Sequence, residues 1–236
     1  MRIARWLGFG LGVALAAYGT YVGVTWLHYG RRKRAANRKE ADELLDRFMP
    51  EYEITERHHV SVSAPADITF STACAMDLQD SAMVRAIFKA RELLLCAQPQ
   101  SGTGPRGLLA QTKAMGWTGL AQIPGREIVM GAITEPWKAI PVFRSVAPDE
   151  FASFHEPGHV KIAWTLRADS AGPAKSIFRT ETRAVCTDAE ARAKFRRYWA
   201  FLSPGIILIR RLSLGPLKKA AEGQACPTPT FRWQRP

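Results

Sequence analysis

The chain has 236 residues and a formal charge of +12, from 33 Lys and Arg against 21 Asp and Glu. Eight of the basic residues and no acidic ones lie within the first 39, so the rest of the chain, with 25 basic and 21 acidic groups, is only mildly basic. That distribution argues against a nucleic-acid partner and for anionic lipid headgroups. Four scattered cysteines, Cys74, Cys96, Cys186 and Cys226, lack any C-x-x-C spacing and read as free thiols, excluding a zinc ribbon or redox pair.

From Trp6 to Tyr29 the chain is apolar and uncharged until Arg31, Arg32, Lys33 and Arg34 close it. As one continuous helix, residues 6–29 reach about 36 Å, enough to cross a hydrocarbon core of about 30 Å. Trp6 at one end and Trp26 with Tyr29 at the other suit the headgroup level. Arg2 and Arg5 precede the span, whereas Arg31, Arg32, Lys33, Arg34, Arg38 and Lys39 follow it. The positive-inside bias therefore predicts a single-pass protein of the cell (inner) membrane with its large C-terminal part in the cytoplasm. A cleavable signal with Ala14-Leu15-Ala16 as its processing site is the rival reading, but the apolar run continues past Ala16 to a stop-transfer cluster. Gly8-x-x-x-Gly12 and Gly19-x-x-x-Gly23 offer a face on which a second copy can pack as a homodimer. The expected organisation is a transmembrane segment at 1–30, a basic juxtamembrane stalk at 31–50, one domain at 51–222 and a disordered tail at 223–236.

Ala35 to Phe48 has helix-forming composition, stopped by Pro50. Tyr52 to Ser63 alternates as a strand, with Tyr52, Ile54, Val60 and Val62 on one parity. Helices follow from Pro65 to Ala75 and from Asp80 to Leu95, then a glycine-rich loop through Gly102, Gly104 and Gly107. Strands are expected at Trp117–Ile123, Arg126–Ile133, Trp137–Val146, His159–Ala168 and Lys175–Cys186, joined antiparallel. Thr187-Asp188-Ala189-Glu190 reads as a capping box opening a long helix, in which Phe195, Trp199, Leu202, Ile206 and Ile209 form a stripe and Pro204-Gly205 a kink.

This order is that of an α+β helix-grip fold. Four stretches carry a resemblance to the SRPBCC, or START-like, superfamily, which includes polyketide cyclase/dehydrase-like and lipid-transfer proteins: Glu56 to Pro65, Glu156 to Lys161, Thr180 to Asp188 and Phe195 to Trp199. The chain resembles an uncharacterised bacterial branch of it over about residues 50 to 222. The resemblance implies a curved antiparallel sheet wrapped around the C-terminal helix, with a cavity between them for an apolar ligand. Parity then assigns Phe178, Thr180, Thr182, Ala184 and Cys186 to that cavity and Arg179, Glu181 and Arg183 to water. Trp164, Leu166, Phe195 and Trp199 complete the expected lining. The expected ligand is a hydrophobic small molecule or lipid. A cyclase- or hydratase-type enzyme using the same cavity, and a membrane scaffold whose core is filled, are the alternatives.

His155-Glu156-Pro157-Gly158-His159 matches H-E-x-x-H, but Pro157 and Gly158 oppose the helix that zinc chemistry needs, so a short helix around Asp149 to Phe154 is expected instead. His58 and His59 are adjacent on a strand and must face opposite ways. Glu127, Glu135, His159 and Lys161 form no nucleophile–base spacing and read as solvated. No phosphate loop or dinucleotide fingerprint is present, and no metal or cofactor is expected.

Overall fold

Where apolar residues alternate along the chain, strands form. They are β1 (Ile54–Val62), β2 (Thr118–Ile123), β3 (Glu127–Thr134), β4 (Phe143–Arg144), β5 (Val160–Gly172) and β6 (Lys175–Cys186). The helices are α1 (Arg2–His28), α2 (Glu43–Asp46), α3 (Ala66–Ala75), α4 (Leu108–Ala114), α5 (Pro148–Phe151) and α6 (Ala189–Ala225). This computed structural model describes residues 2–31, 41–77, 89 and 105–226. The helix expected over 80–95, the basic Arg32, Lys33 and Arg34, the loop glycines Gly102 and Gly104, and the tail from 227 lie outside the described residues.

All strands join one antiparallel sheet in the order β1-β6-β5-β3-β2, with β4 beside β3. The sheet and the 37-residue α6 together have the arrangement of a helix-grip fold. Register shifts at Gly119/Ala121 and at Ser170/Gly172 mark bulges, which add local twist. Trp137–Val146 was expected as a full strand, but only Phe143 and Arg144 pair, against Ile133 and Thr134. Pro136 and Pro141 lack the amide donors that a longer ladder needs.

The helix start also differs by one residue. Asp188, not Thr187, caps α6, accepting the Glu190 and Ala191 amides at 2.7 and 2.8 Å. Thr187 Oγ1 instead accepts the His159 amide and donates to the His159 carbonyl, each at 3.0 Å. Glu190 pairs with Lys194 at 2.7 Å rather than reaching back to the cap.

The face of β6 expected to meet water is covered. Leu45 and Met49, from the segment expected as a stalk, are fully buried in a cluster with Leu120, Val129, Ile133 and Phe151. Beneath them Glu181 and Arg183, 4% and 2% exposed, are enclosed rather than solvated. Glu181 accepts two bonds from Arg57 at 2.8 Å and one from Arg183 at 2.7 Å. Arg183 also donates to Asp46 at 2.5 Å and to the Met49 carbonyl at 2.8 Å. Buried charge is tolerated when each ion meets opposite charge and hydrogen-bond partners, which this cluster supplies. Lys161, also expected in solvent, is buried, donating to the Ala152 carbonyl at 2.7 Å beside the Phe151 ring.

Glu127 is the fourth such residue that proves buried, at 3% exposure. It lies against Asp42, which caps α2 through the Leu45 amide at 2.8 Å. Burial, then the Asp42 carboxylate, pushes Glu127 up to about 8, against the pull of Arg167 and Arg126. A carboxyl raised by folding holds a proton that the unfolded chain releases. Its stabilising contribution is complete below the ordinary value of 4.5 and is lost as pH rises through about 8. Chemical denaturation should therefore show stability falling from mildly acid to mildly alkaline pH, by on the order of 1 kcal/mol per pH unit. Glu127→Gln, which keeps a donor for Asp42 without titrating, should flatten that slope; an unchanged slope would place the titration elsewhere.

Candidate functional site between the sheet and the C-terminal helix

The inward parity of the sheet carries two separate apolar clusters. Trp164, Leu166 and Phe178 belong to the first, with Val62, Phe70, Met130, Leu217 and others. Phe195 and Trp199 belong to the second, with Ile54, Val160, Ala184 and Cys186. The seven residues expected to line a cavity thus divide: three in one cluster, two in the other, and Thr180 and Thr182 between them on β6.

Polar side chains occupy that intervening band. The ladder pairs Glu56 with Thr182 and His58 with Thr180, so all four share the inner face. His58 and Glu56 side chains are 8% and 15% exposed, and His58 Nε2 is 3.9 Å from Glu56 Oε2, beyond hydrogen-bond length. His59 is exposed on the other side, as adjacent strand residues require. From α6, Arg210 donates to Thr180 Oγ1 at 3.3 Å. Its guanidinium is enclosed by protein while the residue as a whole is half-buried. Burial pulls it down to about 10, with the charge of Glu56 acting in the opposite sense. Thr182 Oγ1 is buried and meets no hydrogen-bond partner among the described residues.

α6 lies over this band, most deeply buried at the two ends of the contact. Trp199, Ala200 and Ser203 are buried before it, and Leu217 and Ala221 after it, yet no residue from Pro204 to Pro216 is fully buried. Trp199, Ile206, Arg210, Leu217 and Ala221 follow at helical spacings of seven and four and face the sheet together. Two apolar clusters and a polar band between them thus make up the contact of the sheet with α6.

The basic-flanked N-terminal segment forms one continuous helix, as expected, but it does not stand clear of the domain. Tyr18 Oη donates to the Phe201 carbonyl at 2.6 Å, and the Tyr21 and Ser203 hydroxyls lie 3.0 Å apart. Arg196 donates to the Trp26 carbonyl at 3.0 and 2.6 Å and stacks 4.3 Å from the Trp26 ring. Tyr29 packs edge-on against Phe195 and donates to Glu53 at 2.7 Å. Among the described residues, one helix is long and apolar enough to cross a membrane, and it is α6; length and composition alone do not separate a span from a domain helix. At Gly12, Gly19 and Gly23 an added Cβ would meet open space.

The H-E-x-x-H segment forms a loop after α5, not a helix. Gly158 has φ +85, Glu156 is bound bidentately by Arg144 at 2.6 and 2.7 Å, and His159 Nδ1 lies 2.8 Å from the Pro157 carbonyl. A shallow cleft of about 400 Å³ beside this loop is lined by Arg144, Phe154, His155 and Glu156, away from the contact of the sheet with α6.

No family model matches the chain, and no curated protein matches it. Several solved structures do. The Zhui aromatase/cyclase from a Streptomyces species is 13% identical, with a TM-score of 0.27, over 74% of this chain and 96% of its own. Norcoclaurine synthase from Thalictrum flavum is 11% identical, with a TM-score of 0.29, over 82% and 97%. A START superfamily protein from Mycobacterium smegmatis is 12% identical, with a TM-score of 0.25, over 72% and 96%. Overlays at these scores carry no argument for this chain; its arrangement stands on strand order and register.

Glu56, His58 and Arg210 went unassigned in the sequence, although the parity of Ile54, Val60 and Val62 extends through Glu56 and His58. Charged residues on an inward parity were the signal. Arg210 could be found only once the sheet-facing side of α6 was known. The α1 docking has its own consequence: Arg196→Ala should raise amide exchange in residues 18–29 by roughly tenfold, the scale of one lost charged hydrogen bond, with the sheet unaffected. Equal protection in both proteins would show that the helix is held by other contacts.

Proposed function

We propose that this protein binds a hydrophobic small molecule or lipid in the cup between the sheet and α6, at a membrane to which residues 6–29 hold it. The observation that carries the reading is that polar side chains, Glu56, His58, Thr180, Thr182 and Arg210, are enclosed between two apolar clusters where the sheet meets α6. In this reading Trp164, Leu166 and Phe178 form one apolar wall and Phe195 with Trp199 the other. Thr180, Thr182 and Arg210 meet the polar group of the ligand, where the Thr182 hydroxyl gains the partner it lacks. Arg31, Arg32, Lys33 and Arg34 meet anionic headgroups on the cytoplasmic side, the orientation that the charge bias favours. Tethering raises the concentration of the cup near a bilayer-soluble ligand.

A second reading is favoured by one observation: Glu56, His58 and Arg210 are ionisable groups gathered inside an otherwise apolar cup. Such groups can move protons or stabilise an oxyanion, as a cyclase- or hydratase-type reaction on an apolar substrate requires.

Full-length protein extracted in mild detergent and analysed by mass spectrometry should carry a defined co-purifying molecule. Thr182→Trp, which fills the band, should lose at least tenfold of it while keeping its melting temperature. The same molecules in equal amount on both proteins would mark them as annular lipid and overturn the cup. Chemical conversion of the bound molecule on incubation, abolished by His58→Ala, would establish the enzymatic reading in place of carriage.

A further inference from the structure

The outer side of α6 has the polarity expected of its inner side. Arg197, Phe201, Leu208, Leu212 and Lys219 follow at spacings of four, seven, four and seven, so they lie in one stripe along the helix. Phe201, Leu208 and Leu212 are 49%, 43% and 37% exposed. Leu208 and Arg210, two residues apart, fall on opposite sides of the helix, so the cation faces the sheet and the leucine faces away. α6 thus carries an apolar stripe on its outer side as well as on its inner one, whereas a helix covering a soluble core normally keeps its outer side polar.

We infer that this stripe is a second membrane contact, with α6 lying along the bilayer surface and burying Phe201, Leu208 and Leu212 at the headgroup–acyl boundary. The stripe is bounded at each end by a cation, Arg197 and Lys219, about 33 Å apart along the helix, with Arg211 exposed beside it. That is the charge arrangement of an interfacial helix on anionic lipid, in which apolar residues enter the boundary by about 5–10 Å and basic residues reach phosphate. The stripe is also continuous with a surface of the same character. α1 docks beside Phe201 through Tyr18 and exposes Trp6, Phe9, Val13 and Leu27. Contiguous exposed apolar side chains on two neighbouring helices mark an interaction surface. The contact stands whether or not the cup holds a ligand. If the cup does, its helical wall is the part that touches lipid.

The test uses full-length protein reconstituted in phosphatidylcholine–phosphatidylglycerol vesicles containing a phospholipid with an acyl-chain diazirine. After irradiation and digestion, lipid adducts are expected on residues 6–29 and on the α6 peptides from 198 to 212, and not on β1 or β6. Leu208→Ser combined with Leu212→Ser, verified as folded by circular dichroism, should lower the α6 adducts roughly tenfold and leave those on α1 unchanged. Adducts confined to residues 6–29 would overturn the inference, as would even labelling across the sheet. Inter-chain adducts at Leu208 in place of lipid ones would assign the stripe to a second copy and equally overturn it.

Discussion

The pleat of β6 is the constraint on which the rest depends. Its residues alternate strictly between two faces, so a strand that contributes Phe178, Thr180, Thr182 and Ala184 to one side must present Ile177, Arg179, Glu181 and Arg183 to the other. The second side is covered by α2 and α5, which would bury unpaired charge were it not for the reciprocal pairing of Glu181 with Arg57 and Arg183. Asp46 and the Met49 carbonyl then bind Arg183 from above, fastening the segment after the basic flank onto the sheet. Removing Glu181, the carboxylate that Arg57 and Arg183 share, would leave enclosed positive charge undercompensated, a penalty of about 3–5 kcal/mol. The cluster also fixes register, because a slip of one residue would send the carboxylate into the apolar inner face.

With that outer face closed, the inner face is free to depart from a filled core. Two apolar clusters hold α6 at its ends, near Trp199 and near Leu217, and the polar band lies between them. An enclosed guanidinium on a helix is costly unless it has partners, and Arg210 finds a hydroxyl at 3.3 Å and the field of Glu56. Such a group adds little to folding stability compared with an apolar side chain of similar volume. Its presence between the two clusters is therefore not accounted for by folding stability alone.

Much of the architecture was legible in the chain because it rests on local rules. Strand β6 was anticipated at both ends, and α3 at Pro65, since alternation and proline at a helix start act within a few residues. The loss of most of the strand at Trp137–Val146 was also written locally, in Pro136 and Pro141. The solvated reading of Glu127, Lys161, Glu181 and Arg183 failed for a different reason. Charge on one parity looks the same whether water or another layer lies over it; for Glu127, Glu181 and Arg183 the cover comes from residues 42–49, far away in the chain, and for Lys161 from Phe151 and Ala152. The inward-facing apolar residues Phe178, Phe195 and Trp199 were legible from β6 and α6 parity, whereas Glu56 and His58 were passed over because an inward carboxylate and imidazole have no meaning until a helix is placed above them.

The docked helix α1 bears on how the anchor and the cup relate. Tyr18 and Tyr29 are separated by about 17 Å of helix, and both are tied to the domain. Residues 6–17, which lie beyond those ties, reach about 18 Å, short of a hydrocarbon core of about 30 Å. A full crossing by residues 6–29 would put Tyr18 near mid-bilayer, and therefore requires either that the tyrosine hydroxyls release α6 or that the start of α6 enters the apolar layer beside α1. Release would leave two hydroxyls without partners in a medium that offers none. Keeping them bonded to Phe201 and Ser203 brings α6 down with α1, and places the Trp26–Arg196 pair where an aromatic ring and a cation are both at ease. On that argument α1 and the first turns of α6 form one mechanical unit, and α1 is not a flexible leash.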